Sequence, residues 1–359
     1  MSPPKTLCLI AARNLGDITI VSTYFRQLVE QGLADRYVVW TRPATAFLFD
    51  GLPNCKLVRS DFPVGTGRGP MHKAFIDMLR GARLVWRERP DCSLDYVGDF
   101  RERQFARLAG VCRQLHIGWA PEHAHSRIIR NPLGPGAPLY VVPSDVPNVY
   151  AAYQAFNDRL LALRGLSSPG SAAVPSAVRA SAEPLAVGLH PFASQDCRKW
   201  PFISWTTLVE ALLRAGIAPT AFGAPSDLPA LQAMFGRFGD QVRLVTGSIP
   251  EFAQELGRLD LMVGLDSFSV HMAERLGVDS IFINGANDPT LFSPPRAAVL
   301  QSSGGCAAWP CYNKPTCVGM VNEYACIRSV SVNDVYSAIT ERLLSRRGIK
   351  LPLLHQEAA

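Results

Sequence analysis

The stretch Val263-Gly-Leu-Asp-Ser-Phe-Ser-Val-His-Met-Ala-Glu-Arg-Leu-Gly277, followed by Ser280-Ile-Phe-Ile-Asn-Gly-Ala-Asn-Asp-Pro289, decides the fold of this chain. An apolar strand runs into a turn with Asp266 and Ser267, and a helix then opens with His271 in its first turn. A second apolar strand follows. This pattern predicts a βαβ unit with polar groups at the carboxyl ends of its strands, where open α/β sheets bind ligands. Because a helix N-terminus offers unpaired N–H groups and a positive dipole end, we expect an anion there, most simply a phosphate.

Length, charge and hydropathy exclude several classes of protein. The 359 residues are 48% hydrophobic, which is enough for two domains of about 150 to 200 residues each. No apolar run approaches the roughly 20 residues of a membrane span, and the start does not resemble a signal peptide. The formal charge of +6 is mild and no long run of like charge occurs, so we expect no nucleic-acid partner. We expect a cytoplasmic protein, with the inner face of the cytoplasmic membrane as an alternative, because a basic surface suits acidic substrates and anionic membranes alike.

The order of strands and helices predicts two doubly wound α/β domains that face each other across a cleft. In residues 1–164 short apolar strands alternate with helices, starting with a strand over Thr6–Ala11 and a helix over Ile18–Glu30. Residues 165–184 are rich in Gly, Ser, Ala and Pro, which is typical of a linker. The alternation restarts in residues 185–359.

Two groups of charged residues outside these motifs are interpreted as structural. Asp95 and Asp99 end a predicted strand, next to Arg101 and Arg103 at the start of a helix, and the alternative role of these four residues is to line the acceptor side of the cleft. The basic segment with Arg68, His72 and Lys73 is interpreted as a solvated, mobile loop, with contact to a phosphorylated acceptor as the alternative.

Lys199 lies in the loop after the first strand of the second domain. A lysine at the carboxyl edge of the sheet can reach the same cleft as Asp266, and its ammonium can neutralise the charge of a departing pyrophosphate. The alternative is a solvated loop lysine beside a core tryptophan, Trp200.

The ordered set of motifs resembles glycosyltransferase family nine, the ADP-heptose heptosyltransferases and their relatives. The resemblance rests on Leu15-Gly16-Asp17, Lys199-Trp200-Pro201 after His190-Pro191, Thr246-Gly247, Asp266-Ser267 with His271-Met272-Ala273, and Asn284-Gly285 before Asp288-Pro289. These motifs cover the chain from about Thr6 to Ile339, and their order is far more specific than any one of them.

The resemblance implies a GT-B architecture, with the acceptor in the first domain and a nucleotide sugar, ADP-heptose or a related donor, in the second. It implies inverting transfer, without a catalytic metal, to a hydroxyl of lipopolysaccharide core, another bacterial glycan or a protein. A lipid-linked acceptor predicts a basic and apolar patch on the first domain and peripheral association with the inner membrane. A protein acceptor predicts an oligomer and an occupied metal finger. The alternative is a catalytically silent nucleotide-sugar-binding or scaffold protein of the same fold.

The resemblance also assigns roles to single residues. Asp17 is expected to be the general base, with an N-cap of the helix from Ile18 as the alternative, and Lys199 the phosphate clamp. The expected contacts to the nucleotide sugar lie in loops and first turns, and they are Gly16, Ser194, Gly223, Asp227, Asp266, Ser267, Ser269 and His271. Phe268 departs from the family pattern, which has glycine there, and must alter how closely the backbone approaches the ligand. Asp227 is a substitute for the acidic residue that relatives place at the ribose.

Four of the nine cysteines crowd into residues 306–326. Cys306, Cys311, Cys317 and Cys326 have four, five and eight residues between successive members, and such thiolates can hold zinc or iron. None of the gaps is the two-residue spacing of a strong zinc motif. Reduced thiols and disulfides are the alternatives. The branch of the family that heptosylates autotransporter adhesins resembles this chain in using a four-cysteine metal finger.

Overall fold

Strand β1, Thr6–Ala11, is buried along its whole length and is a central strand of the first of two sheets. The computed structural model describes residues 4–64, 70–98, 100–122, 138–146, 148–167, 184–302, 304–312, 314–349 and 351–352. The chain divides into two units, Met1–Ala172 and Ala173–Ala359.

The described part of the first unit contains six parallel strands with helices between them. The strands are β1, β2 (Arg36–Thr41), β3 (Cys55–Arg59), β4 (Cys92–Asp95), β5 (Gln114–Trp119) and β6 (Tyr140–Val142). The helices are α1 (Leu15–Glu30), α2 (Met71–Arg87), α3 (Phe100–Leu108) and α4 (Val149–Ala162), with a 3₁₀ helix over Pro43–Phe49. The sheet order is β3-β2-β1-β4-β5-β6. The chain direction across the sheet reverses between β1 and β4, and such a switch point is where doubly wound sheets bind ligands.

The second unit repeats this arrangement in its described residues. Its strands are β7 (Val187–His190), β8 (Thr220–Phe222), β9 (Arg243–Val245), β10 (Leu261–Leu265), β11 (Asp279–Asn284) and β12 (Ala297–Gln301). Its helices are α5 (Phe202–Arg214), α6 (Leu228–Phe235), α7 (Ile249–Leu256), α8 (Phe268–Arg275), α9 (Pro289–Phe292), α10 (Ala325–Arg328) and α11 (Val332–Arg347). The order is β12-β11-β10-β7-β8-β9, so the switch point lies between β7 and β10. The prediction of two doubly wound α/β halves is confirmed.

The core of the first unit places α2 very close to the sheet. Trp40 of β2 is fully buried and donates from Nε1 to Ser60 Oγ at 2.6 Å. Gly81 of α2 packs directly on this pair, because a Cβ there would lie 2.4 Å from both Ser60 Oγ and Trp40 Nε1. Ala74 and Ala82 of the same helix are buried beside it. Helix α2 therefore contacts the sheet through small side chains.

The structure differs from the sequence predictions in a few places. Helix α1 begins at Leu15 rather than Ile18. His72 and Lys73, predicted in a mobile loop, lie in the first turn of α2, where the apolar side of the helix packs on β2. Arg68, Asp99 and most of the predicted linker, residues 168–183, lie outside the described residues.

No helix in the part of the chain that the structure describes has both the length and the apolar character needed to cross a membrane.

Replacing Gly81 by alanine tests the packing of α2. We expect Gly81→Ala to lower the free energy of unfolding by about 1–3 kcal/mol, because the new methyl group clashes with the buried indole of Trp40. Chemical denaturation measures the change. Gly236→Ala is the matched control, since a Cβ there meets nothing within 4 Å. Equal stability of wild type and Gly81→Ala would show that the close contact is not as described.

Candidate functional site

Asp17 lies in the first turn of α1, directly after the buried strand β1. The N-cap of this helix is Asn14, so Asp17 is the third helical residue, and the interpretation of Asp17 as the N-cap is wrong. Its side chain is half-buried. A carboxylate in a first turn is favoured by the positive end of the helix dipole. Gly16 precedes it within the same turn, so both predicted residues of this motif lie at the carboxyl end of β1.

A small cavity opens beside Asp17. Its polar lining comes from Arg13, Asp17, Tyr96 and Glu102, and apolar side chains of β1 and α1 complete it. The cavity is therefore bordered by acidic and basic groups together. Hydrogen-bond donors and acceptors therefore lie side by side in this lining.

Buried charged residues hold the loop that precedes α1. Glu102 of α3 is 6% exposed, and its Oε1 accepts the backbone N–H of Ala12 at 3.1 Å. Because Ala12 lies between β1 and α1, this bond ties the loop before Asp17 to α3. Burying a carboxylate is costly unless it is paired, so the contact restricts the loop strongly.

A second buried pair lies at the end of β4. Asp95 Oδ1 accepts the N–H groups of Val97 and Gly98 at 2.9 and 2.7 Å, and Arg103 Nε lies 3.8 Å from Asp95 Oδ2. Burial raises the pKa of Asp95 to about 6, while the N–H of Gly98, the Arg103 guanidinium and the N–H of Val97 oppose the rise. Burial also lowers the pKa of His116 on β5, and Arg103 acts in the same direction. The structural interpretation of Asp95 thus has a physical basis, as the carboxylate organises the loop after β4.

In the second unit, the carboxylate of Asp266 joins three strand ends. Its Oδ2 accepts the side-chain N–H of Asn287, after β11, and lies 3.4 Å from Nε of Arg198, in the 3₁₀ turn after β7. Arg198 also donates to the backbone carbonyl of Asp266 at 3.2 Å, and Asn284 donates to the carbonyl of Asn287 at 2.6 Å. Strands β7, β10 and β11 are neighbours in the sheet. Their carboxyl ends therefore form one polar edge.

The residues after Asp266 begin α8. Ser267 is its N-cap but makes no side-chain cap bond, and its Oγ lies 3.4 Å from His190 Nδ1. Ser269 and His271 are buried, and the hydroxyl of Ser269 has no hydrogen-bond partner in the described structure. Asp266, Ser267, Ser269 and His271 thus all lie at or near the start of α8, and Ser269 and His271 are buried within the unit.

His190 lies in an aromatic cluster that accommodates Phe268. Its ring centroid is 5.7 Å from Phe268, 5.6 Å from Phe252 and 5.9 Å from Phe192, each at a steep angle. Phe252 and Phe268 lie 4.7 Å apart. Burial lowers the pKa of His190 to about 3, so the ring is neutral at physiological pH. The bulky residue that replaces the expected glycine packs onto this cluster.

The remaining predicted donor contacts lie on loops at the same edge of the second sheet. Lys199 is exposed and its Nζ lies 2.7 Å from Asp196 Oδ1, and Ser194 is exposed in the same loop. Gly223, after β8, is buried, while Asp227 accepts the N–H of Ala224 at 2.8 Å and so closes a 3₁₀ turn. An exposed ion pair such as Lys199–Asp196 is weak, so the lysine can exchange this partner for a ligand.

The four clustered cysteines are free, as are the other five. Burial raises the pKa of the Cys326 thiol, and Cys311, Cys306 and Cys317 add to the rise, which places the thiols within electrostatic range of one another. The backbone N–H of Tyr324 lies 3.5 Å from Cys317 Sγ. Even so, the described residues include no group of three or more His, Cys, Asp or Glu side chains arranged to hold a metal ion. The predicted structural zinc or iron is not supported.

Several residues of these sites were not identified from sequence. In the second unit they are His190, Arg198, Asn284 and Asn287, to which the sequence assigned no role, and in the first unit Glu102. Arg198 is adjacent to the lysine chosen from sequence, and only the geometry of the 3₁₀ turn directs the arginine to Asp266. The pattern Asn-Gly-Ala-Asn after a buried strand was a usable signal, because amides at a strand end need partners.

Comparison with known proteins agrees with this architecture. No curated protein matches the chain. Residues 165–321 match the model of glycosyltransferase family 9 (heptosyltransferase), so the resemblance seen in the sequence is confirmed over that part of the chain.

Three solved structures illustrate the similarity of fold. The ADP-heptose lipopolysaccharide heptosyltransferase II of E. coli is 14% identical, with 95% of this chain and 99% of that chain covered and a TM-score of 0.63. A family 9 glycosyl transferase from Veillonella parvula DSM 2008 is 15% identical over 95% and 97%, with a TM-score of 0.67. The iron-containing dodecameric glycosyltransferase TibC from enterotoxigenic E. coli H10407 is 12% identical over 97% and 79%, with a TM-score of 0.55. The predicted GT-B class is thus confirmed.

The buried His190 gives stability a defined pH dependence. Its pKa is about 3 in the folded protein and 6.5 as the ordinary value, so the unfolded chain binds the proton first as the pH falls. The contribution of the neutral His190 to the free energy of unfolding is therefore complete above pH 6.5 and decreases below it. By pH 5 the free energy of unfolding is lower by about 2 kcal/mol. We expect His190→Phe to remove this part of the pH dependence. Denaturation of both proteins at pH 6.5 and pH 5 measures it, and equal losses would contradict the burial of a neutral ring.

Proposed function

We propose that this chain is an inverting glycosyltransferase, on the premise that its residues 165–321 match the model of glycosyltransferase family 9. In this proposal it transfers a heptose or related sugar from an ADP-linked donor to an acceptor hydroxyl. The observation that carries the proposal is the polar edge around Asp266, where the ends of β7, β10 and β11 converge inside the matched region.

The second unit is proposed to hold the donor. The N-cap Ser267 leaves first-turn N–H groups of α8 without a side-chain cap, and those groups favour a diphosphate. Asp266, fixed by Arg198 and Asn287, is a suitable acceptor for sugar hydroxyls. Gly223 and Asp227 are proposed to contact the nucleoside. ADP-heptose is favoured because a structurally similar enzyme is described as an ADP-heptose heptosyltransferase.

Asp17 is proposed as the general base of the first unit. Its carboxylate takes the proton of the acceptor hydroxyl, the oxygen bonds to the anomeric carbon, and the bond between that carbon and the diphosphate breaks with release of ADP. The ammonium of Lys199 neutralises the charge that develops on the leaving diphosphate, so no catalytic metal takes part. Gly16, which precedes Asp17 in the same turn, is proposed to contact the nucleotide sugar. Glu102 acts through the loop at Ala12 and is a positioning residue.

The acceptor is proposed to be a hydroxyl of lipopolysaccharide core, another bacterial glycan or a protein. One structural neighbour is described as acting on lipopolysaccharide, and another, TibC, is described as dodecameric, so an oligomer of this chain is compatible with the fold. A structural metal has no part in the proposal, since the cysteines at 306–326 form no ligand group in the described residues.

The function is tested by incubating the purified protein with ADP-heptose and other nucleotide sugars and measuring donor hydrolysis and transfer by mass spectrometry. We expect turnover of the ADP-sugar, and we expect Asp17→Asn to lower kcat by about 10²- to 10⁴-fold because the base is lost. Asp50→Asn, an exposed acid of the first unit, is the control. Nucleotide-sugar binding without turnover by the wild type would instead indicate a silent binding or scaffold protein.

Substitutions of Lys199 and Arg198 are expected to affect different steps, catalysis and donor binding respectively. Lys199→Gln is expected to lower kcat by about 10²-fold with little change in donor affinity, because its charge acts on the leaving group. Arg198→Gln is expected to weaken donor binding by about tenfold or more, because Asp266 loses its charged partner. Steady-state kinetics and calorimetric titration with ADP separate the two. A wild-type kcat for Lys199→Gln would remove the lysine from the mechanism.

A further inference from the structure

Helix α2 of the first unit exposes an unusual set of large apolar side chains. Of the described large hydrophobic residues that are exposed, no other helix or strand carries more than two. Those on α2 are Met71, Phe75, Ile76, Leu79, Leu84 and Trp86, and the Trp86 side chain is 62% exposed. Scattered exposed apolar residues are normal, but a contiguous group on one element indicates an interaction surface.

The packing of α2 explains why these side chains face solvent. The buried residues of the helix are Ala74, Met78, Gly81, Ala82 and Val85, most of them small. Gly81 in particular allows the contact with Trp40 and Ser60 that fixes the rotation of the helix. The large apolar residues are therefore held outward by the fit of the opposite face, and burying them would require the helix to turn away from the sheet.

Two parallel stripes run along the exposed side of the helix. Met71, Phe75, Leu79 and Trp86 follow one another at intervals of four, four and seven residues, which puts them on one line of an α-helix. The cations Lys73, Arg80, Arg83 and Arg87 lie on the adjacent side of the helix, at intervals of seven, three and four residues, together with the exposed Ile76 and Leu84. We call the four apolar residues of the first stripe and these four cations the α2 surface.

The charge of the α2 surface identifies its partner. The helix carries these four cations and a single acidic residue, Asp77. The carboxylate of Asp77 already accepts the backbone N–H of Asp61 at 2.7 Å. An apolar stripe beside a basic stripe, with Trp and Phe in the first, suits the interface of a bilayer with anionic lipids. We propose that the α2 surface docks this protein onto an anionic membrane.

A second copy of the chain is a poorer occupant of the α2 surface. A two-fold contact would place the same patch on both sides and so bring the two basic stripes together with little acidic charge on the helix to offset them. Anionic headgroups provide that opposite charge. The docking goes beyond the proposed sugar transfer and does not depend on it, although it would bring the first unit to a lipid-linked acceptor.

Vesicle flotation tests the docking with the full chain. We expect the wild type to float with phosphatidylcholine vesicles that contain 30% phosphatidylglycerol, and to float about tenfold less with phosphatidylcholine alone or in 0.5 M salt. Arg80→Glu/Arg83→Glu is expected to reduce the bound fraction on anionic vesicles at least about tenfold. Phe75→Ser/Leu79→Ser is expected to reduce it to a similar degree by removing the apolar contact.

The control is Leu344→Ser on α11, whose side chain is 45% exposed, close to the 42% of Leu79. It should float like the wild type, and thermal unfolding should show that every variant is folded. Donor hydrolysis in the absence of vesicles should be unchanged in the α2 variants, which separates this test from that of the proposed function. Equal flotation of wild type and both α2 variants would overturn the proposal. So would loss of a dimer in the α2 variants, with no vesicle binding by the wild type, since the α2 surface would then join two copies.

Discussion

The carboxylate of Asp266 is the interaction on which the second unit's polar edge depends. It lies at the end of β10, and it is held from one side by Arg198 after β7 and from the other by Asn287 after β11. A buried carboxylate must find such partners, because leaving it unpaired costs several kcal/mol. The three loops are therefore fixed relative to one another, and the first turn of α8 is presented to a ligand in a defined position.

Buried charged residues also fix the loops of the first unit. Its sheet has the same strand order, and the charged groups again gather at the switch point, where β1 and β4 are neighbours. Glu102 holds the loop at Ala12, and Asp95 with Arg103 organises the loop after β4. In both units the strands supply an apolar platform, while buried charge outside their carboxyl ends sets the shape of the site. Asp17 follows the loop that Glu102 restrains, so this contact helps to fix its position.

Helix α2 shows how packing on one face creates a surface on the other. Close contact of Gly81 with Trp40 holds the helix near the sheet. The inner side buries Ala74, Gly81 and Ala82 together with Met78 and Val85, and the outer side exposes Phe75, Leu79 and Trp86. A membrane-facing role for that surface would give a glycosyltransferase of this fold access to a lipid-linked acceptor. The polar edge around Asp266 in the second unit does not depend on that role, because its contacts lie within the second unit.

The sequence by itself determined the two doubly wound sheets, most strand positions and the convergence of Asp266 and Ser267 on one edge, because alternating apolar strands and amphipathic helices leave few topologies. It was wrong at the start of α2, where it placed His72 and Lys73 in a loop, whereas both lie in the first turn of the helix. Only the tertiary structure decided that Arg198 contacts Asp266 while Lys199 pairs with Asp196, and that Phe268 packs on His190. Those outcomes depend on side-chain direction in irregular loops, which neither spacing nor periodicity encodes.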